Sequence, residues 1–379
     1  MKVLWIGDAV IQSGFSTVTR GICKELNKEC DLTVFGIGYN GKVRNTSDYY
    51  VYPGADHHDI YSVAHATDVV ARDNYDVVVL FNDLAVVLDY ARSIRKVMPK
   101  IPLVALFPVN VPPMLHKEVI ELTNYGFCEV MTYTEFSKNH LLSINPNLSV
   151  TAVYHGVDKE MFVRNDDCKQ LTGLKNNFVV GYVGSNTYRK RLDLLIEGFA
   201  KFAKDKEDVR CLLHVGDINL SYPLADVALF YGVKDKLLLS AGNIPDERVR
   251  LMYSVMDVNV NTSLGEGFGL PLLEGASCGV PILCSEHGNL TDIWSSGADF
   301  IKIDRYEYIP NTYQRGAVIN TTDMAEKLSK LYEDRNYLKQ KSADALVRSS
   351  ELLFDWKVIS DKVSKVLTTA SKSRVNIIV

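Results

Sequence analysis

The sequence predicts an α/β protein built from two doubly wound parallel sheets. Three observations carry that expectation. Short continuous runs of Val, Ile and Leu alternate with helical periodicity from end to end. Runs of that kind, apolar on both faces, belong to parallel strands covered by helices on either side. The alternation restarts near residue 178, where a strand enters a glycine turn at Gly184. The chain has 379 residues, and at about 100–200 residues per domain two domains are the natural division.

Taken in order, residues 3–6 read as a buried strand, and Phe15, Val18, Ile22 and Leu26 then recur at helical spacing. Further strands are predicted over 32–37, 76–81, 102–107 and 130–133. In the second series the strand 178–184 precedes Leu192, Leu195, Ile196 and Phe199 at helical spacing. Strands over 211–215, 236–239, 257–260 and 280–284 follow. The boundary is placed at Tyr154-His155-Gly156-Val157-Asp158, giving a first domain over 1–155 and a second over 156–357. The polar stretch 165–177 suits a surface connection. A helical pattern covers about 356–367.

Composition narrows the function classes. Hydrophobic residues make up 47% and charged residues 23%, and 42 Lys and Arg against 46 Asp and Glu give a net charge of −4. A mildly acidic chain does not advertise nucleic acid or anionic lipid as a partner. The segment 113–140 sets Lys117 and Lys138 against Glu118, Glu121, Glu129 and Glu135, which argues against strong membrane docking. The seven cysteines show no C-x-x-C spacing and read as reduced residues of a cytoplasmic protein. The apolar start 3–6 stops at Gly7-Asp8, too short for a signal-peptide core.

The most specific segment is Gly265-Glu266-Gly267-Phe268-Gly269-Leu270-Pro271-Leu272-Leu273-Glu274-Gly275. Its glycines allow close approach of backbone to a ligand, Pro271 suits a first helical position, and Gly279 suits the helix end. The amides of Phe268, Gly269 and Leu270 are thereby expected at a helix N-terminus, where they suit phosphate oxygens. Glu266 and Glu274 frame the loop. A carboxylate accepts two hydrogen bonds at once, which fits the vicinal hydroxyls of a sugar or ribose. The alternative is a capped surface helix with ordinary glutamates. A second cluster, Ser185-Asn186-Thr187-Tyr188-Arg189-Lys190-Arg191, sits in the first β-to-α turn of the second series. Ligands bind at that edge of such sheets, and Arg189 with Lys190 would neutralise a diphosphate leaving group. A solvated basic turn is the plain alternative. No Asp-x-Asp, H-E-x-x-H or Walker A string occurs, so no metal site and no cofactor are expected.

The loop resembles the E-x7-E signature, in the form E-G-F-G-L-P-x-x-E, of retaining glycosyltransferases of family 4, and in particular a bacterial and viral subgroup that shares N-x-x-R-K-R. The resemblance implies the GT-B fold, two Rossmann-like domains facing a cleft, with a last helix over about 358–379 packing back on the first domain. It implies that Glu266 contacts the donor sugar, Glu274 the nucleotide ribose, and Phe268 to Leu270 the sugar and diphosphate. Lys190 aligns with the family's lysine, while Ser185 stands where the family commonly has arginine, so Arg189 is assigned that charge. Asn243 and Ile244 lie in a segment resembling the loop whose main chain packs on the nucleobase. Ser13-Gly14 keeps one glycine of a family Gly-Gly that approaches the donor phosphate or acceptor, and reads equally as a helix cap. Asn110, in Phe107-Pro108-Val109-Asn110, is placed at the acceptor side, although the histidine that many relatives carry there is absent. His155 matches the interdomain motif and fits a packed linker residue or a cleft residue.

The function expected is transfer of a hexosyl or pentosyl group from a nucleoside-diphosphate sugar to a hydroxyl acceptor, without metal and with retention, in glycan or polysaccharide synthesis. The rivals are a viral enzyme acting on modified DNA bases, an inactive nucleotide-sugar-binding protein and, less directly, an epimerase of the same fold.

Overall fold

A computed structural model describes residues 1–41, 44–45, 48–55, 59–375 and 377. The chain divides into two compact units. The first comprises Met1–Val109, Pro113–Gly156 and Leu352–Val379, the second Asn110–Pro112 and Val157–Glu351.

The first unit is built on strands β1 (Lys2–Gly7), β2 (Asp31–Ile37), β3 (Arg44–Asn45), β4 (Tyr50–Gly54), β5 (Val77–Phe81), β6 (Leu103–Leu106), β7 (Phe127–Thr132) and β8 (Val150–Ala152). They form one sheet in the order β3-β4-β2-β1-β5-β6-β7-β8. All neighbours are parallel except the β3–β4 pair. Every residue of β5, Val-Val-Val-Leu-Phe, is buried, as a central parallel strand covered on both faces requires. The helix Gly14–Leu26 starts on a capping box in which Ser13 and Ser16 satisfy each other's backbone amides. The helix Trp356–Ala370 packs against it, with the Ser360 hydroxyl donating to the Ile22 carbonyl at 3.1 Å. A Cβ on Gly21 would lie 2.3 Å from the Trp356 indole, and one on Gly156 2.7 Å. These two glycines therefore form the seat of that ring. Of the tail expected to continue this helix, residues 376, 378 and 379 lie outside the described residues.

The second unit repeats the plan. Strands β9 (Phe178–Gly184), β10 (Val209–Val215), β11 (Leu237–Ala241), β12 (Val258–Asn261), β13 (Ile282–Ser285) and β14 (Ala298–Ile301) form an all-parallel sheet in the order β11-β10-β9-β12-β13-β14. The helix Leu192–Phe202 buries Leu192, Leu195, Ile196, Phe199 and Phe202, the helical stripe that the spacing predicts. An antiparallel hairpin, β15 (Ile303–Tyr308) and β16 (Arg315–Ile319), follows β14. The α/β expectation with two doubly wound parallel sheets is thus met in both units.

Among the parallel strands of each sheet the order reverses once, beside β1 in the first unit and β9 in the second. Loops leaving the carboxyl ends of strands on either side of such a reversal diverge and leave a crevice between them. In the second unit the flanking strands are β9 and β12. The basic turn follows β9, and the glycine loop follows β12.

Candidate functional site

The chain leaves β9 at Gly184 and turns through Ser185-Asn186-Thr187 into a single 3-10 turn, Tyr188–Lys190. Asn186 is fully buried, and its side-chain amide donates to the carbonyls of Ile218 and Tyr222 at 2.9 and 2.8 Å. That tether fixes the turn against the loop after β10. Arg191 adopts a left-handed φ of 50° and starts the next helix. The kink sends Arg189 and Lys190 one way and Arg191 another. Arg191 binds Asp193, at 2.9 Å, and Glu307 of the hairpin. It is buried among these partners and is structural.

Arg189 and Lys190 meet Glu266. The Lys190 Nζ lies 2.5 Å from Glu266 Oε1, and the Arg189 Nη1 3.0 Å from Oε2 while also donating to the Gly265 carbonyl. Two further donors reach Oε1: Asn261 Nδ2 at 2.9 Å and Ser263 Oγ at 2.6 Å. The Asn289 amide holds the Glu266 carbonyl at 2.7 Å. The glutamate is 5% exposed. Burial alone would raise its pKa, but Lys190, Arg189 and the hydrogen bonds outweigh it and hold the carboxyl well below the ordinary glutamate value. Burial, only partly offset by Glu266 and reinforced by Arg189, draws the Lys190 pKa down. With all three ionised, the cluster carries one surplus positive charge.

The backbone ties the two loops together. The Leu264 amide donates to the Arg189 carbonyl at 2.8 Å, and the Ala317 amide of β16 donates to the Leu264 carbonyl at 2.9 Å. Thr262 Oγ1 donates to the carbonyls of Lys190 and Arg191. A Cβ on Gly265 would lie 2.5 Å from the Asn110 carbonyl, so glycine is required there.

Past Glu266, buried Phe268 leads to Gly269, whose left-handed φ of 90° turns the chain into the helix Leu270–Ser277, with Pro271 in its first turn. The helix closes at Gly279, φ 69°. Glu274 lies one turn inside, half-buried, and accepts from Tyr253 Oη at 2.8 Å. A Cβ on Gly275 would meet Asn259 Nδ2 at 2.6 Å, so this glycine lets the helix sit close over β12. Asn243 and Ile244 lie between β11 and the helix Asp246–Val255, with Asn243 exposed.

Four further expected residues have surroundings of their own. Ser13 caps the helix Gly14–Leu26 and donates to buried Asp8 at 2.7 Å, so its hydroxyl is already engaged, while Gly14 is exposed at the helix start. Asn110 belongs to the segment grouped with the second unit, beside Val111, whose carbonyl accepts from Gln314 at 2.8 Å. His155 is 1% exposed between Tyr133, centroids 4.1 Å apart, and Trp356. Burial lowers its pKa to about 3, so it is a neutral packed ring. Asn261, Ser263, Asn289 and Tyr253 were not expected from the sequence. The first two point to one side of the strand end by their two-residue spacing; the others are brought in by the tertiary fold.

Among the described residues no cluster of three or more His, Cys, Asp or Glu is placed to hold a metal ion, and no helix is long and apolar enough to cross a membrane.

Residues 164–349 match the family model for glycosyl transferases group 1. Among individual proteins, an uncharacterized glycosyltransferase of Methanocaldococcus jannaschii is 26% identical over 181 residues, 45% of this chain and 46% of that protein. A lipopolysaccharide core biosynthesis mannosyltransferase of Rhizobium meliloti is 24% identical over 214 residues, 53% of this chain and 56% of that protein. The chain thus spans about half the length of these curated relatives. Among solved structures, sucrose-phosphate synthase from Thermosynechococcus elongatus superposes with a TM-score of 0.78 at 14% identity, covering 96% of this chain and 98% of that one. HepE from Anabaena, in complex with UDP-glucose, gives 0.74 at 16%, covering 97% and 99%. The chain therefore has the GT-B fold, and over residues 164–349 it matches the glycosyl transferases group 1 family.

Proposed function

We propose that this protein is a retaining, metal-independent glycosyltransferase that moves a sugar from a nucleoside diphosphate to an acceptor hydroxyl. The observation that carries the reading is the cluster of buried Glu266 with half-buried Arg189 and Lys190 at the reversal point of the second sheet. It sets a carboxylate suited to sugar hydroxyls beside two cations suited to a diphosphate. The relatives with glycosyltransferase names and the UDP-glucose complex of HepE support the substrate class.

In this reading Asn243 and Ile244 line the base, Glu274 holds the ribose, and the helix entrance at Phe268 to Leu270 receives the diphosphate. Arg189 and Lys190 stabilise the charge that grows on the leaving phosphate oxygen as its bond to the anomeric carbon breaks. The new bond to the acceptor oxygen forms on the same face. The acceptor proton passes to the departing phosphate oxygen, so the products are the glycoside and the nucleoside diphosphate. Glu266 orients the sugar ring. The first unit is assigned the acceptor, which we take to be a glycan or polysaccharide. The seven free cysteines fit a reducing compartment.

A panel of uridine, guanosine and adenosine diphosphate sugars scored by thermal shift tests the reading. A ligand at one hundred times its Kd stabilises the fold by about 2.7 kcal/mol, so the true donor raises the melting temperature. The absence of any shift across the panel, at millimolar ligand, would overturn the proposal. Binding without transfer to any glycan acceptor would favour a nucleotide-sugar-binding protein instead.

A further inference from the structure

We infer that Glu266 makes the site prefer the intact nucleotide sugar over the bare nucleoside diphosphate, by serving as an internal counter-anion to Arg189 and Lys190. The inference rests on the donor site proposed above. Position in the sequence gives Glu266 a bearing on the sugar alone. The geometry adds a second role.

The two cations that a diphosphate needs are already occupied. Lys190 Nζ lies 2.5 Å from one carboxylate oxygen and Arg189 Nη1 3.0 Å from the other. The carboxylate is held in that place by Asn261 at 2.9 Å and Ser263 at 2.6 Å, and its own carbonyl by Asn289 at 2.7 Å. With 5% exposure, it is screened little by solvent. An arriving diphosphate therefore meets one net positive charge rather than two. It must also share Arg189 and Lys190 with a fixed anion a few ångströms away. That repulsion acts on the bare diphosphate and on the intact donor alike.

The intact donor has a means of recovering the loss. Its sugar hydroxyls donate to the same carboxylate, and hydrogen bonds to an ionised acceptor are about twice as strong as neutral ones. The product lacks those hydroxyls and keeps only the repulsion. The carboxylate thus penalises the product selectively, which speeds its departure after transfer. Arg191 takes no part, because Asp193 and Glu307 already neutralise it.

Calorimetric titration of wild type and Glu266→Gln with a nucleoside diphosphate and its matching nucleotide sugar tests this. Glutamine keeps the shape and removes the charge. A unit charge at this range in a partly buried site is worth roughly tenfold in affinity. Glu266→Gln should therefore tighten the bare diphosphate roughly tenfold and change the intact donor little, so the preference for the donor falls by about that factor. Unchanged or weaker binding of the bare diphosphate overturns the inference and leaves the glycosyltransferase reading standing. Failure of wild type to bind uridine, guanosine or adenosine diphosphate sinks both. Should Glu266→Gln not fold, wild type alone decides: it should bind the intact nucleotide sugar more tightly than the matching bare diphosphate, and a donor bound no more tightly than the diphosphate overturns the inference.

Discussion

Replacing Lys190 with methionine removes a charge and keeps the length of the stem. Glu266 is then left with Arg189 at 3.0 Å, Asn261 at 2.9 Å and Ser263 at 2.6 Å, in a site where the carboxylate is 5% exposed and Lys190 itself retained 12%. Removing one partner of a buried ion pair costs about 3–5 kcal/mol, chiefly because the other charge stays buried. Arg189 and the two neutral donors remain, so the expected loss lies at the low end, about 3 kcal/mol. The pH dependence follows from the same contacts. The folded-state pKa of Glu266 lies below the ordinary value of 4.5 because of Lys190 and Arg189, despite burial. Its contribution is therefore fully present above about pH 4.5 and is lost as pH falls below it. In Lys190→Met that acid-side loss should be shallower, because the main cause of the depression is gone. Urea unfolding is the assay, read from the buried Trp294 in a background where Trp5 and Trp356, the other two tryptophans, are phenylalanine. That background confines the signal to the second unit. A loss under about 1 kcal/mol at pH 7, or an unchanged acid limb, would show that Lys190 and Glu266 do not form a buried pair.

Arg189→Ala should lower turnover by about 2–4 kcal/mol of transition-state stabilisation, whereas Arg191→Ala should leave turnover within roughly threefold and cost about 1–3 kcal/mol of stability through Asp193 and Glu307; steady-state kinetics beside thermal melts separates the two effects, and the reverse pattern would exchange their roles. Tyr253→Phe keeps the ring and removes the hydroxyl donated to Glu274, so binding of the bare nucleotide should weaken roughly three- to tenfold with turnover at saturating donor nearly unchanged; a fall confined to turnover would contradict the ribose assignment of Glu274. Activity should persist in EDTA, and a complete loss restored by Mn²⁺ or Mg²⁺ would defeat the assignment of the leaving-group charge to Arg189, Lys190 and the helix entrance. Generic duplex DNA should show no salt-sensitive binding, given the net charge of −4; a steep fall of affinity with salt would promote the nucleobase acceptor over the glycan.

The sheets were legible wherever burial on both faces leaves an uninterrupted apolar run. Val77–Phe81 and Phe178–Gly184 are such strands, and their bounds shift by no more than a residue from those expected. The hairpin β15–β16 was not foreseen. Its first strand reads Ile-Asp-Arg-Tyr-Glu-Tyr, half-exposed and charged, with neither the apolar run of a central strand nor a clean alternation. The strand expected over 236–239 runs Leu237–Ala241, because Lys236 closes a 3-10 turn. In the site, the glycine loop announced itself through local backbone demands that only glycine and proline meet. Tyr253, which holds the Glu274 carboxylate, and Asn289, which holds the Glu266 main-chain carbonyl, did not, because they lie 21 and 23 residues from the groups they hold. Contacts across that distance are decided by strand order, which composition and periodicity do not encode.

The seating of Trp356 between Gly21 and Gly156 has a consequence for how the chain is made. The first unit draws its last helix, Trp356–Ala370, from beyond the whole of the second. The second unit, apart from Asn110–Pro112, is a single uninterrupted stretch, Val157–Glu351. On the ribosome, domains fold as units as their residues emerge. The unit that starts first must therefore wait with Gly21, Ile22 and Gly156 uncovered, while the unit that starts second can finish. A nascent chain stalled after residue 351 should hold a protease-resistant second unit and a first unit still open along the helix Gly14–Leu26.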